Sequence, residues 1–247
     1  MSDRQVGKIL SRRDVLALFR ATGTAIFVVG CTSRKSSFAQ TSTNKTTLPN
    51  CIVSPEQTEG PYFVDEKLNR SDIRLDPADG KIKDGVPLQL TLRVSGVRNT
   101  SCTPVAGAIV DIWHCDALGV YSDVTDRSFN TVGKKFLRGY QVTDANGIVQ
   151  FTTIYPGWYQ GRTPHIHFKV RTTAASGQNY EFTSQLYFDE AISDRVYTQM
   201  PYVSKGHSQT NEQDGIFQQG GNQLMLSLKE NPQGGYAATF DIGLQMA

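Results

Sequence analysis

Two of the four histidines in this 247-residue chain lie two positions apart, in the stretch TPHIHFKV. On a β-strand, His165 and His167 would point to the same side, because successive side chains alternate between the two faces. Ile166, Phe168 and Val170 would then face the core. Two neighbouring imidazoles suit a metal ion, but two polar side chains on an ordinary solvent-facing surface explain the H-x-H motif equally well.

The residues around this pair favour a metal. Tyr159 and Arg162 precede the histidines in YPGWYQGRTPHIH, and Tyr121 follows a predicted strand in DIWHCDALGVYSD. A phenolate is a hard, anionic oxygen donor, so two phenols beside two imidazoles suit Fe(III) better than Zn(II) or Cu(I). A trivalent cation would also ionise a tyrosine well below its usual pKa of about 10.

The elements that must position these residues are predicted to be short strands. Alternating or β-branched segments recur from about residue 50, separated by turn signals such as Asn146-Gly147. No long segment has a helical period, although SDRVYTQM predicts one short helix with Ser193 as its cap. We therefore expect an all-β fold, an antiparallel β-sandwich with long loops and few short helices. The predicted strands are 88–94, 108–113, 148–154, 165–170, 182–188 and 236–242.

With these motifs in this order, the chain resembles the intradiol ring-cleavage dioxygenases, non-haem Fe(III) enzymes of aromatic catabolism, and most closely the protocatechuate 3,4-dioxygenase type. The resemblance rests on a tyrosine in a segment like IWHCDALGVY, a second in PGWY, and then Arg-x-x-His-x-His. TEGPYF and QLYF resemble further segments of the family. The resemblance covers roughly residues 50–245.

The resemblance implies a role for each of these residues. Tyr121, Tyr159, His165 and His167 would ligate the ferric ion, with water or hydroxide in a fifth place. A catechol would chelate the ion as a dianion, and Tyr159 would then leave the metal and take up a proton. Arg162 would stabilise the negative charge that builds on the ring. Both atoms of O2 would enter the aromatic diol, which would become a muconate-type diacid.

The surroundings of this site are predicted in less detail. Gln185 would support the ligands from behind, and Tyr62 and Pro61 would line the pocket, although a core contact beside a turn explains these two equally well. Only two residues separate Tyr159 from Arg162, where family members often have a longer insertion. Because that insertion walls the pocket in some relatives, we expect a more open pocket here.

The first residues are interpreted as an export signal. Arg12 and Arg13 precede a short apolar stretch, which cannot span a bilayer because a spanning helix takes about 20 apolar residues. Paired arginines before such a stretch favour the twin-arginine route, with an ordinary surface helix as the alternative. The segment VVGC resembles a bacterial lipoprotein box, which would make Cys31 the lipidated first residue. Cleavage after Ala39 is the other interpretation.

The chain is therefore expected to comprise an export signal with its tether, a linker and a catalytic domain, at residues 1–39, 40–49 and 50–247. We expect a periplasmic or envelope location, with membrane contact only through a lipid at Cys31. An oxidising compartment allows a disulfide, and Cys51 with Cys102 is the expected pair, although spacing leaves the connectivity open. Cys115 would then be a small buried hydrophobe, and His114 a structural residue.

The formal net charge of +2 shows no basic surplus, so we expect no nucleic-acid partner. The expected partners are a small aromatic diol and O2. Two other classes of function stay open. One is an exported β-sandwich module that binds a ligand without iron, with Trp158 and Tyr159 as a platform. The other is a metalloenzyme with copper or zinc on the histidine pair. A tyrosinate bound to Fe(III) would colour the protein and separate these alternatives.

Overall fold

A computed structural model describes residues 52–99, 101–174, 177–206 and 208–246. All of these belong to one compact unit, Thr47–Ala247. The predicted export signal and linker lie outside the described residues, together with Cys31, Cys51 and His207. Within the described part of the chain, no helix is both long enough and apolar enough to cross a membrane.

Eleven strands, one α-helix and three 3-10 helices of three residues each are present in the described residues. The helix, α1, spans Glu190–Tyr197 and lies between the ninth and tenth strands. The strands in chain order are β1 (Leu75–Asp76), β2 (Lys81–Ile82), β3 (Pro87–Arg98), β4 (Ser101–Pro104), β5 (Ile109–Trp113), β6 (Arg138–Val142), β7 (Ile148–Ile154), β8 (His165–Thr173), β9 (Asn179–Tyr187), β10 (Leu228–Glu230) and β11 (Tyr236–Leu244).

Two main sheets confirm the predicted β-sandwich. The site sheet has the order β6-β5-β8-β9 and is antiparallel throughout. The support sheet has the order β10-β11-β3-β4, and β7 also pairs with β3. One strand pair departs from the predicted antiparallel arrangement: β3 and β11 run parallel. Most of the domain lies between these two strands, so no tight hairpin dictates their relative direction.

The core lies between the two sheets and follows the predicted alternation. Its register is fixed because a slip of one residue would move every apolar side chain to the opposite face. Full burial of one such side chain contributes about 1.5–3 kcal/mol. In β3 and β8 the alternate residues that join this core are at most 1% exposed: Leu88, Leu90, Leu92, Ile166, Phe168 and Val170.

The short helix begins earlier than predicted, and its predicted cap is wrong. Asp189 is the N-cap, and its carboxylate accepts a hydrogen bond from the Ile192 amide at 3.2 Å. Ser193 is buried inside the helix, where its hydroxyl bonds the Asp189 carbonyl at 3.0 Å and the Tyr155 hydroxyl at 2.6 Å. Aspartate and serine cap helices about equally well. Here the packing against Tyr155 decides which residue takes the role.

The two cysteines in the described residues differ in their bonding state. Cys115 is free and buried, as predicted. Cys102, in β4, is disulfide-bonded. Its expected partner, Cys51, lies outside the described residues, so the pairing stays a prediction.

Candidate metal centre

The two histidines of the motif lie on β8, on the face of the site sheet that points away from the core. Cross-strand pairing aligns Arg138, Trp113, His167 and Gln185 in one row across all four strands. Each of these residues is at most 2% exposed, as is His165. The alternation therefore places the histidines as predicted. It does not leave them on a solvent-facing surface, because loops cover this outer face.

One cover is the chain between Ser54 and Tyr62. It runs along β9, where the Ser184 hydroxyl donates to the Pro55 carbonyl at 2.7 Å and the Gln185 amide donates to the Thr58 carbonyl at 2.9 Å. At Gly60 the backbone has φ +71° and passes so close to His167 that an added Cβ would lie 3.4 Å from its ring. Glycine suits this position, since other residues rarely adopt a positive φ.

Two further loops bring the tyrosines together. The Gly157 amide donates to the Asp116 carbonyl at 3.1 Å. A Cβ at Gly157 would lie 2.5 Å from that same oxygen, so a side chain at this position would force the loops apart. The close backbone contact sets Tyr121 and Tyr159 edge to face, with ring centroids 5.8 Å apart.

The structure brings all four predicted ligands into one group, which we call the donor cluster: Tyr121, Tyr159, His165 and His167. The two histidine Nε2 atoms are 3.1 Å apart, and Tyr121 Oη is 3.4 Å from His165 Nε2. Arg162 Nη1 lies 3.3 Å from Tyr159 Oη and 3.3 Å from His165 Nε2. The arginine therefore touches the cluster directly.

Both imidazoles are suited to bind a metal. His165 Nδ1 lies 2.7 Å from the Thr163 carbonyl, which only accepts, so Nδ1 carries the proton and Nε2 presents its lone pair. Burial, followed by the charge of Arg162, lowers the pKa of His165 to about 3. Burial and the neighbouring His165 hold the pKa of His167 well below its usual range. Both rings are therefore neutral at physiological pH, as ligation requires.

The phenols are held in the neutral form unless a cation is bound beside them. Burial raises the pKa of Tyr121 well above its usual value, and the nearby Tyr159 adds to the rise. Burial also raises the pKa of Tyr159, although the Arg162 guanidinium opposes this shift. A metal ion with several positive charges would reverse both shifts.

Arg162 is fixed by partners that come from elsewhere in the chain. Its Nε donates to Asp214 at 2.8 Å and its Nη2 to the Gln185 side chain at 2.5 Å. Burial alone would raise the pKa of Asp214, but Arg162 and the Thr163 amide outweigh burial, so this pKa lies below its usual value. Asp214 could not be predicted from the sequence, because no local spacing links it to Arg162, which lies 52 positions away.

A cleft of about 780 Å³ opens beside Tyr159. Its walls include the aromatic rings of Tyr62, Phe129 and Trp158, and two cations, Arg127 and Lys205. Tyr62 stacks on Tyr121 with centroids 4.5 Å apart, and its hydroxyl donates to Asp126 at 2.9 Å. Pro61 is described and exposed, but it is not one of the described residues that line this cleft.

The remaining titratable residues near the motifs have structural partners. His114 is buried and bonds the Cys115 carbonyl at 2.8 Å and the Thr153 hydroxyl at 2.7 Å. Asp111 pairs with Arg171 at 2.8 Å. In the described part of the chain, His, Cys, Asp and Glu side chains form no group of three or more that could hold a metal ion. A metal ion bound at the histidine pair would therefore have to use ligands of another type, and the nearby phenols are of such a type.

Comparisons with known proteins point to one family. A protein-family model described as Dioxygenase matches residues 58–245. The solved structure of an intradiol ring-cleavage dioxygenase from Tetranychus urticae is 33% identical, covers 79% of this chain and 95% of its own, and has a TM-score of 0.66. The dioxygenase domain of a dioxygenase carbohydrate-binding protein fusion from Streptomyces sp. SirexAA-E is 29% identical. It covers 79% of this chain and 100% of that domain, with a TM-score of 0.54.

Curated relatives match over shorter stretches. The protocatechuate 3,4-dioxygenase beta chain of Burkholderia cepacia is 35% identical over 98 residues, which cover 36% of this chain and 42% of the relative. The chlorocatechol 1,2-dioxygenase of Pseudomonas sp. (strain P51) is 31% identical over 111 residues, 38% of this chain and 41% of the relative. The chain thus spans about two fifths of the length of these curated relatives. The family match over most of the chain and the near-complete overlap with the Tetranychus urticae structure show that the chain belongs to the intradiol ring-cleavage dioxygenase family.

Proposed function

We propose that the chain is a non-haem Fe(III)-dependent intradiol dioxygenase, which inserts both atoms of O2 into a catechol-type diol and yields a muconate-type diacid. The observation that carries the proposal is the convergence of two phenols and two imidazoles. Within it, His165 Nε2 lies 3.1 Å from His167 Nε2 and 3.4 Å from Tyr121 Oη. Membership of the family supports the same reaction class.

The donor cluster suits a ferric ion on chemical grounds. Neutral imidazoles bind many transition metals, but a pair of phenols adds two hard oxygen donors whose pKa values burial has raised. When bound, Fe(III) would ionise these phenols, coordinate both oxygens of a catechol and make the ring reactive toward O2. Tyr121, Tyr159, His165 and His167 would hold it.

The two tyrosines are placed for different tasks. Tyr121 is fully buried and stacked against Tyr62. Tyr159 is only half-buried and lines the cleft. Tyr159 is thus the phenol with room to move when a substrate arrives. We assign its Oη as the acceptor of a proton that the catechol loses on binding, with Arg162 Nη1 at 3.3 Å to orient it.

Arg162 supplies a fixed positive charge. Its bonds to Asp214 and Gln185 hold the planar guanidinium before any substrate binds. A charge that needs no rearrangement during the reaction stabilises a developing anion effectively. The bound ring would become anionic next to Arg162, so this residue would lower the barrier by stabilising charge that grows toward the transition state.

The volume and the lining of the cleft favour some catechols over others as the substrate. Its volume of about 780 Å³ exceeds the need of a single catechol ring. The aromatic walls, and two cations (Arg127 and Lys205) against one carboxylate (Asp126), support a catechol that carries a bulky or acidic substituent over catechol itself. Oxygen uptake with catechol, protocatechuate, hydroxyquinol and a larger substituted catechol ranks these substrates. Equal kcat/KM values across the panel would refute the preference.

The purified protein tests the reaction class directly. We expect about one iron per chain, a strong visible tyrosinate-to-Fe(III) band, and oxygen uptake with a diacid product cleaved between the two hydroxyls. Tyr121→Phe should bleach or shift the band, whereas Tyr180→Phe, a partly buried tyrosine on β9, should not.

Three outcomes would each contradict a different part of this proposal. A colourless protein with stoichiometric zinc would point to another metalloenzyme. A metal-free protein that binds catechols after mutation of His165 and His167 would point to a binding module. Cleavage beside the diol would contradict the intradiol assignment.

We also propose that the chain is exported as a folded protein and reaches the periplasm or cell envelope. Arg12 and Arg13 support the twin-arginine route, and the disulfide-bonded Cys102 supports an oxidising compartment. Cell fractionation of the full chain tests this, and an Arg12→Lys, Arg13→Lys double variant should stay inside the cell. Fatty-acid labelling that Cys31→Ser abolishes would support a lipid anchor. An unlabelled exported wild type would refute it.

A further inference from the structure

Three buried polar side-chain atoms have no hydrogen-bond partner within the described residues: Glu66 Oε1, Trp113 Nε1 and His167 Nδ1. Buried polar atoms are nearly always satisfied, so each exception requires an explanation. These three are also neighbours. Trp113 stacks on His167 with centroids 4.9 Å apart and the rings 9° from parallel, and Glu66 and Trp113 line the same small cavity.

The two histidines of the donor cluster are held in different ways. His165 is oriented by its Nδ1, which donates to the Thr163 carbonyl. A metal-binding histidine usually has such a bond, because it fixes both the tautomer and the ring plane. His167 Nδ1 has no equivalent partner among the described residues. Its ring plane is set instead by the parallel face of Trp113, which lies directly opposite on β5.

The indole must itself be held in place. Phe63 packs against it at a centroid distance of 4.8 Å, but its ring nitrogen has no partner among the described residues, and Trp113 also lines a cavity. This cavity has a volume of about 10 Å³, which matches one water molecule. Glu66 lines the same cavity, with Oε2 held by Lys135 at 2.6 Å and Oε1 without a hydrogen-bond partner among the described residues. Burial, opposed by Lys135, raises the pKa of Glu66, and the neighbouring Asp123 carboxylate adds to the rise. A single water could accept from the indole N–H and donate to Glu66 Oε1.

We propose that Trp113 is a positioning residue for His167, and that one buried water joins Trp113 Nε1 to Glu66 Oε1 and holds the indole against the imidazole. The stack takes over the task that the Thr163 carbonyl performs for His165. The part of this inference that concerns iron rests on the proposed function. The water and the stack do not.

A high-resolution crystal structure of the full chain tests the water. We expect density for one molecule at about 2.7–3.2 Å from both Trp113 Nε1 and Glu66 Oε1. A cavity without that density, or a water that reaches only one of the two atoms, would overturn the bridge. A second structure, of Trp113→Leu, tests the positioning. His167 should turn out of the plane that it occupies in the wild type, and an unchanged ring would refute the role of Trp113.

Iron release to a chelator, followed through the visible band, gives a readout independent of turnover. Loss of an outer partner of a ligand typically weakens metal binding 10- to 100-fold. We expect Trp113→Leu to release iron about 10-fold faster or more. Trp113→Phe keeps an aromatic face but loses the N–H that bonds the water, so its release should be faster than that of the wild type and slower than that of Trp113→Leu. If Trp113→Leu does not fold, Trp113→Phe still decides, because wild-type release by this variant and an unshifted His167 would contradict the inference.

The Glu66 variants complete the design. Glu66→Leu removes the acceptor and should speed iron release several-fold, while Glu66→Gln keeps an acceptor oxygen and should restore slow release. Glu230→Gln, on the exposed strand β10, controls for the loss of a carboxylate. Fast release from both Glu66 variants would show that its charge, and not a bridging water, matters. A wild type that binds no iron would refute the proposed function, and the two crystal structures would still decide the inference.

Discussion

In the row that contains Arg138 and His167, the outer face of the site sheet is about as buried as the inner face, but the two faces are built on different principles. On the inner face, Ile112, Ile166 and Phe168 pack against the support sheet and are at most 1% exposed. On the outer face, the row that contains Arg138 and His167 is at most 2% exposed, yet it is mainly polar. The inner face is stabilised by apolar area. The outer face depends on hydrogen bonds donated and accepted by distant loops.

Because the two faces are built differently, the inner face mainly determines the stability of the domain and the outer face mainly determines the chemistry of the site. Burying a charge without partners costs several kcal/mol, of the order of 3–5 kcal/mol when one partner is removed. Arg138 avoids this cost by bonding the Ser122 hydroxyl at 2.8 Å and the Tyr62 carbonyl at 3.2 Å. Each such bond ties a loop to the outer face. Changes to the inner face should therefore weaken the whole domain, whereas conservative changes to the outer face should impair the site and leave the fold intact.

The largest effect is expected on the inner face. Phe168→Ala should lower the free energy of unfolding by about 3–5 kcal/mol, because it removes a fully buried ring and leaves a cavity. Denaturant titration measures this loss. The iron-to-protein ratio of the remaining folded fraction should stay at the wild-type value. Val142→Ala, at an exposed position on β6, is the control. A loss of iron in folded Phe168→Ala would contradict the expectation that changes to the inner face reduce stability but leave the site intact.

On the outer face, Arg162→Lys should lower kcat about 10²- to 10³-fold while the protein stays folded. Lysine keeps a cation for the buried Asp214, but it loses the planar fork that reaches Tyr159 and Gln185. Oxygen-uptake kinetics beside the visible spectrum measure the effect, since the band should persist. Arg74→Lys, in an exposed pair with Asp72, is the matched control. Wild-type kcat in Arg162→Lys would leave the arginine with a structural role alone.

The inner face could be predicted from sequence almost completely. Alternation located six strands, and 148–154 coincides with β7. It missed β6, because RGYQV contains a glycine and has no clear period. It also missed β1, β2, β4 and β10, which are only two to four residues long. The parallel pairing of β3 with β11 was not foreseen, because direction depends on the path of the whole chain.

The outer face could be predicted only where its residues form local motifs. The donor cluster residues and Arg162 come from short stretches of characteristic composition, and the structure brings them together. Trp113 and Asp214 were missed. Trp113 reaches His167 through strand pairing, and Asp214 reaches Arg162 through a loop. Both contacts depend on tertiary packing, and neither leaves a periodic signal in the sequence.

A pH titration tests a buried polar residue, His114, which directly follows β5 in the site sheet. Burial lowers the pKa of His114 to about 4, below its unfolded value of about 6.5. The unfolded chain therefore binds a proton first as the pH falls, and the stability that the neutral ring contributes is lost from pH 6.5 down to about 4. The loss amounts to about 3 kcal/mol.

The matched variant for this titration is His114→Asn, which does not titrate. We expect the stability difference between wild type and variant to move by about 3 kcal/mol in favour of the variant between pH 7 and pH 4. Unfolding titrations at both pH values measure the shift. A difference that does not change with pH would mean that His114 is hydrated or charged in the folded protein.

The smallest effect is expected where the outer face meets solvent. Glu59, in the loop that covers His167, forms an ion pair with Lys169, but its side chain is 38% exposed. Glu59→Gln should cost less than about 1 kcal/mol, because exposed pairs are well screened. Lys169 also keeps Glu181 at 3.9 Å and the Phe63 ring at 4.3 Å. Unfolding at low and high salt measures the loss, which should shrink as salt rises. A loss above about 2 kcal/mol would mean that charge pairing, more than the bonds to the backbone of the 54–62 segment, holds this cover over the site.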